Sequence, residues 1–86
     1  MSYVYLVKNK TTNLKYIGAK YAKGSTPAGF WVNYFTSSKA VHKLIDQHGV
    51  DDFSFRILKV FDSRSECLEF ERYLISKTIK RKDYIN

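Results

Sequence analysis

The sequence predicts a small α/β (α+β) domain in which a three-stranded antiparallel or mixed sheet is flanked by helices. The chain has only 86 residues. A chain of this size buries about 60% of its unfolded surface, so we expect one domain over residues 1–86. Its residues are 44% hydrophobic and 16% aromatic, which is enough for a packed core. The periodicity predicts the order strand-strand-helix-strand-helix.

The first two strands are predicted over residues 3–8 and 14–18, which are rich in Val, Ile and Tyr. The polar residues between them form turns readily, so we expect a β-hairpin. Tyr3 and Tyr5 would then point to one face of the sheet. If Tyr5 pairs near Tyr16, the two phenols are cross-strand neighbours with Cβ atoms about 5 Å apart.

A long loop is predicted between residues 18 and 35, where the periodicity is lost and Gly24, Pro27 and Gly29 interrupt the chain. A loop of this length in so small a domain is usually functional. We expect Trp31 in this loop to pack against the sheet, and stacking on a nucleic-acid base is the alternative.

The first helix is predicted to begin after Thr36-Ser37-Ser38, whose hydroxyl groups can cap its N-terminus, and to run to about His48. Gly49 is a typical C-terminal stop. Its apolar face carries Val41, Leu44 and Ile45. The N–H groups at such a helix start can also bind phosphate.

A third strand is predicted over residues 53–61, where apolar residues on both sides indicate a central strand with cover on both faces. Ser63 and Glu66 match a capping box that opens a second helix over about residues 64–78. The buried stripe of this helix is predicted to consist of Cys67, Leu68, Phe70, Leu74 and Ile75. The lone cysteine is expected to fill the core rather than serve as a catalytic thiol.

The chain is strongly basic. Fifteen Lys and Arg against eight Asp and Glu give a formal charge of +7 and a pI near 9.6. This charge favours a polyanionic partner such as nucleic acid or an anionic membrane surface, with solubility alone as the alternative. The sequence shows neither an apolar run long enough to span a bilayer nor a signal-peptide pattern, so we expect an intracellular, cytoplasmic protein.

Glu71 lies within the apolar stripe of the second helix, four residues after Cys67 and four before Ile75. A buried, ionised carboxylate without partners is costly, so Glu71 must be ion-paired, protonated, at the rim of the core, or bound to a metal. A carboxylate near phenols and lysines suits phosphodiester hydrolysis, because Mg²⁺ prefers oxygen ligands and retains waters. A structural ion pair remains the alternative.

These residues resemble the GIY-YIG nuclease superfamily, which is named after two short motifs on its first two strands. Tyr16-Ile17-Gly18 matches the second motif, whereas Tyr3-Val4-Tyr5 has a tyrosine where the first motif has glycine. Glu71 lies in a helical segment similar to that around the family's metal-binding glutamate, and Asn86 resembles its late asparagine. The likeness spans essentially the whole chain and is strongest to phage-type homing endonuclease domains.

The resemblance implies a metal-dependent DNA endonuclease. Tyr5 and Tyr16 would activate or orient the attacking water and hold the scissile phosphate. Glu71 would bind one Mg²⁺ or Mn²⁺ ion, and Asn86 would support the site. The resemblance implies no small-molecule cofactor and no membrane partner.

The main departure from the family is its arginine on the first helix, because no Arg lies between Tyr16 and Arg56. We expect Lys20 to replace it, with Lys23 as second choice and His42 as a further candidate helper. Contacts to nucleic acid are expected from Lys20, Lys23, Ser37, Ser38, Lys39 and Lys43. The altered first motif and the missing arginine also support an alternative function, a catalytically silent nucleic-acid or protein-binding module on the same fold.

Overall fold

The strands and helices occur in the predicted order in a computed structural model, which describes residues 1–21 and 26–86. The elements are β1 (Ser2–Asn9), β2 (Lys15–Lys20), α1 (Lys39–His48), β3 (Phe53–Phe61) and α2 (Arg64–Thr78). Short 3-10 turns lie at Pro27–Gly29 and Val50–Asp52. The predicted fold class is therefore confirmed.

The three strands are arranged in the order β2-β1-β3, and both pairings are antiparallel. The prediction that residues 53–61 form the central strand is wrong, because β3 pairs with β1 at one edge of the sheet. Its apolar residues are not all covered, since Phe55 is 50% and Val60 is 40% exposed. The central strand is β1, in which Val4 and Tyr5 are both buried although they point to opposite faces.

The turn of the β1–β2 hairpin is held by the fully buried side chain of Asn9. Its Oδ1 accepts hydrogen bonds from the backbone N–H and the hydroxyl of Thr12, both at 2.9 Å. Its Nδ2 donates to the carboxylate of Asp52 at 3.1 Å, which also accepts from the Thr11 hydroxyl at 2.7 Å. Asn13 completes the turn with a positive φ of 62°. The hairpin is thereby fixed to the segment that precedes β3.

Both helices begin at the predicted caps. Ser38 Oγ accepts the N–H of Val41 at 3.3 Å, and Ser63 Oγ accepts the N–H of Glu66 at 3.3 Å. Gly49 ends α1 with φ of 83°, a conformation that favours glycine. None of the helices in the two described ranges is long and apolar enough to cross a membrane.

The two helices lie on opposite faces of the sheet. One core contains Tyr3, Tyr5, Val7, Phe30, Val41 and Phe53, so α1 and the segment that precedes it cover this face. The other core contains Val4, Ile17, Phe61 and Cys67, so α2 covers the second face. Cys67 is fully buried, which confirms its predicted place in the core. Trp31 packs against Phe53 and Phe55, with ring centroids 5.3 Å and 5.9 Å away, as predicted.

Candidate active site

Tyr5 and Tyr16 share one face of the sheet but do not lie directly opposite each other. Tyr5 is paired with Gly18, so the two tyrosines are diagonal neighbours with ring centroids 6.3 Å apart. The predicted pairing is wrong by two residues, because the turn closes with Lys8 opposite Lys15. A shift of two residues keeps both side chains on the same face.

The Tyr5 phenol lies over Gly18. A Cβ at residue 18 would overlap the Tyr5 phenol and would lie 2.8 Å from Cε2 of Tyr16. The last residue of the second motif must therefore lack a side chain, because both tyrosine rings occupy the space above it.

The Tyr5 side chain is buried, and its hydroxyl is hydrogen-bonded to Oγ1 of Thr36 at 2.7 Å. Burial raises the pKa of the Tyr5 phenol, and the hydrogen bond to Thr36 offsets this only in part. The phenols of Tyr34 and Tyr16 raise this pKa further. Tyr5 is therefore protonated near neutral pH, and its hydroxyl is engaged in the hydrogen bond to Thr36.

Thr36 connects Tyr5 to the first helix. Its carbonyl oxygen accepts a hydrogen bond from Nε2 of His42 at 2.7 Å, and its hydroxyl accepts one from the N–H of Ser38 at 3.3 Å. Its φ of 92° is unusual for a β-branched residue and costs backbone free energy. The hydrogen bonds around Thr36 hold this conformation and place His42 near the buried end of Tyr5.

Glu71 is half-buried on α2, which packs against the edge strand β2 that carries Tyr16. Burial raises the pKa of Tyr16, and the negative charge of Glu71 raises it further. Burial also raises the pKa of Glu71, with the charge of Arg72 opposing that shift. Within the described part of the chain no basic side chain forms an ion pair with Glu71. The structural ion pair considered from the sequence is thus not observed in those residues.

Asn86 binds the outer edge of β2 beside Tyr16. Its Oδ1 accepts the N–H of Ile17 at 3.0 Å, and its Nδ2 donates to the carbonyl oxygen of Ile17 at 2.6 Å. Just before it, the N–H of Ile85 donates to the carbonyl oxygen of Lys15 at 2.8 Å. The C-terminal segment therefore continues the sheet for a few residues, and the amide of Asn86 pairs with β2 as a backbone would.

Lys20 lies at the far end of β2 on the same face as Tyr16. Its Nζ lies 4.3 Å from the centroid of the Tyr34 ring. Lys20, Tyr34 and Ser37 line a surface concavity of about 220 Å³, together with Ala19 and Tyr21. The preferred replacement for the family's arginine therefore faces a small open cleft. Lys23, the second choice, lies outside the described residues.

A sequence model described as the GIY-YIG catalytic domain matches residues 1–84. The chain belongs to this family. The resemblance inferred from the two tyrosine motifs is thereby confirmed.

Two phage proteins are similar to this GIY-YIG domain. One is "Putative endonuclease segB" of Enterobacteria phage T4, which is 29% identical over 85 residues that make up 98% of this chain and 36% of that protein. The other is "Putative endonuclease segE" of the same phage, 34% identical over 85 residues, with 98% and 39% of the two chains covered. The chain thus spans less than two fifths of each relative. No solved structure matches it significantly.

GIY-YIG nucleases are generally dependent on a divalent metal ion. In the described residues no three His, Cys, Asp or Glu side chains cluster in the manner of a metal site built from protein ligands alone. A half-buried carboxylate without a basic partner in that part of the chain nevertheless fits Mg²⁺, which commonly uses one or two carboxylates together with waters and substrate phosphate. Glu71 is that carboxylate.

The residues predicted to contact nucleic acid lie around α1 and the cleft. Ser37 is exposed and lines the cleft, whereas the hydroxyl of Ser38 is used as the cap of α1. Lys39 and Lys43 are exposed on α1, where they line a shallow concavity with His42. Their positive charges lie on the helix that covers the Tyr5 face of the sheet.

Tyr34 and Thr36 contact Tyr5 in the structure, and the sequence did not reveal these contacts. Both lie in the nonperiodic segment before α1, where no strand or helix repeat fixes the direction of a side chain. The remaining signal was the density of aromatic residues at positions 30–35, which predicts packing rather than a site.

Proposed function

We propose that this GIY-YIG domain is an endonuclease that hydrolyses phosphodiester bonds in DNA by attack of water. The observation that supports the proposal is that Tyr5 and Tyr16 pack together on one face of the sheet, while α2, which carries the half-buried Glu71, packs against the strand that carries Tyr16. A carboxylate that can hold a hard cation is then available to phenols that can donate hydrogen bonds to phosphate.

In this proposal the phenols of Tyr5 and Tyr16 act as hydrogen-bonding groups that position the site, and they do not remove a proton from the attacking water. Their raised pKa values keep them protonated near neutral pH. Tyr16 is half-buried and can donate to the scissile phosphate or to the attacking water. Tyr5 is only 1% exposed, so it acts as a positioning residue that supports Tyr16 from within the core.

Glu71 would hold one Mg²⁺ or Mn²⁺ ion. When bound, such an ion supplies Lewis-acid stabilisation of charge that develops on the phosphate. The ammonium group of Lys20 would offset part of the same charge. Asn86 would act indirectly, because it fixes the backbone of β2 next to Tyr16.

DNA is the proposed substrate for two reasons. The formal charge of +7 favours a polyanion, and exposed lysines on α1 can contact its phosphates. The names of the two phage relatives describe endonucleases. Action in the cytoplasm of a host cell and a homing-type role stay predictions.

A catalytically silent binding module is the second candidate, favoured by Tyr3 in the first motif and by the missing arginine. Tyr3 is 1% exposed and packs edge-on against Phe30 at 5.9 Å between centroids. The tyrosine at this position therefore fills the core on the sheet face that also carries Tyr5 and Tyr16.

Incubation of the purified chain with supercoiled plasmid DNA separates the two candidates. The reactions contain Mg²⁺, Mn²⁺ or a chelator, and the products are resolved as nicked, linear and supercoiled forms. The endonuclease proposal predicts cleavage that requires the metal. An absence of cleavage with either metal, together with DNA binding that weakens steeply with salt, would support the silent module.

A further inference from the structure

We infer that Tyr34 is a further catalytic residue, whose hydroxyl shares the scissile phosphate with the ammonium group of Lys20. This inference rests on the proposed endonuclease function. Lys20 and Tyr34 would together supply what the family's arginine supplies, namely a positive charge and a directed hydrogen bond.

The side chains of Lys20 and Tyr34 are in contact. Lys20 Nζ lies 4.3 Å from the Tyr34 ring centroid, within the range of a favourable cation–π interaction. Both residues line the concavity of about 220 Å³ whose rim includes the exposed Ser37. This cleft opens at the C-terminal end of β2, directly after the second motif.

Tyr34 is held in place by the segment around it. The N–H of Trp31 donates to the Tyr34 carbonyl oxygen at 2.8 Å, and the Tyr34 N–H donates to the Gly29 carbonyl oxygen at 3.2 Å. The indole Nε1 of Trp31 donates to the Val50 carbonyl oxygen at 3.3 Å. Phe30 is buried in the core. A segment without a helical or strand repeat thus holds Tyr34 through backbone bonds and two anchored aromatic side chains.

Tyr34 also lies close to Tyr5, the tyrosine of the first motif. Its ring lies edge-on to Tyr5 with centroids 6.2 Å apart. The Tyr34 phenol also raises the pKa values of Tyr3, Tyr5 and Tyr16, after the larger effect of burial at each. Tyr34 and Tyr16 therefore both pack beside the Tyr5 ring, whose centroid lies 6.2 Å from that of Tyr34 and 6.3 Å from that of Tyr16.

The chemistry explains why a lysine would need this partner. Arginine binds phosphate through two parallel N–H donors, whereas the lysine ammonium group is a point charge on a flexible stem. A phenol contributes one O–H donor in a fixed direction. Lys20 supplies the charge, and Tyr34 supplies the directed donor and limits the positions of the ammonium group.

The test is single-turnover plasmid cleavage by Tyr34→Phe, which removes the hydroxyl and keeps the ring that packs on Tyr5. We expect the rate to fall about 10- to 100-fold, the effect of losing one hydrogen bond to a charged group. DNA affinity and thermal stability should stay near the wild-type values. Tyr73→Phe is the matched control, because Tyr73 is 56% exposed and has Lys77 Nζ 5.3 Å from its ring centroid. This control should cleave at the wild-type rate.

A double-mutant cycle tests whether the two residues act on one phosphate. Lys20→Met combined with Tyr34→Phe should cleave at nearly the rate of the slower single variant, because groups that act as a unit are not additive. If Tyr34→Phe cleaves as wild type, or if the two losses multiply, the inference is wrong and the proposed function stands. If the wild-type chain does not cleave with either metal, both are wrong.

Discussion

The hydroxyl of Tyr5 and the hydroxyl of Thr36 are hydrogen-bonded at 2.7 Å in the interior of the protein. This bond joins the first motif to the segment before α1, 31 residues later in the chain. Because both groups are buried, neither has water as a replacement partner. The bond therefore fixes the position of the Tyr5 ring, on which Tyr16 and Tyr34 pack.

Thr36→Val removes the hydroxyl and keeps the shape of the side chain. We predict that the free energy of unfolding falls by about 1–3 kcal/mol, because the buried Tyr5 hydroxyl loses its partner. Thr36→Ser keeps the bond and is the matched control. Urea unfolding of the three proteins measures the difference. Equal stability of the Val and Ser variants would show that this bond does not hold Tyr5.

The pKa shift of Tyr5 predicts a loss of stability at alkaline pH. Its folded-state pKa is raised above the unfolded value of about 10, so the neutral phenol is favoured in the folded state. The stability from this shift is complete below about pH 10 and decreases as the pH rises further. Tyr5→Phe should therefore flatten the dependence of unfolding free energy on pH in this range. Parallel curves for the two proteins would contradict the prediction.

Gly18→Ala tests the close packing above the second motif. The added methyl would overlap the Tyr5 ring and approach Tyr16, so we predict a loss of about 1–3 kcal/mol in stability and impaired DNA cleavage. Gly29→Ala is the control, since its Cβ would meet only the movable side-chain end of Asn33, 2.7 Å from Oδ1. Thermal melting measures both. A Gly18 variant as stable as the Gly29 variant would show that the rings can move aside.

Local signals were sufficient for the boundaries of most elements. Ser38, Gly49 and Ser63 act as caps where the sequence placed them, because a cap depends on a few neighbouring residues. The strand order, in contrast, could not be predicted from local signals. Apolar residues on both sides of β3 predicted a central strand, but the pairing partner is decided by long-range packing. Phe55 and Val60 are left partly exposed at the edge.

The sheet face shared by Tyr5 and Tyr16 was predictable from the two motifs, although the register of Tyr5 differs by two residues. The roles of Tyr5, Tyr16 and Glu71 stay predictions. Thr36 could not be foreseen, because its positive φ and its bonds to Tyr5 and His42 arise from the folded segment as a whole. The contact of Tyr34 with Tyr5 could not be foreseen either, because it also depends on how this segment folds.

We propose that the carboxylate of Glu71 holds the metal ion that is needed for DNA hydrolysis. This claim is tested by the single-turnover rate of plasmid cleavage by Glu71→Gln, measured as Mg²⁺ or Mn²⁺ is titrated. Glu69→Gln, on the exposed side of the same helix, is the matched control. We predict that Glu71→Gln remains folded and loses at least about 100-fold in rate, while Glu69→Gln cleaves as wild type. Cleavage by Glu71→Gln at the wild-type rate and metal dependence would contradict the claim.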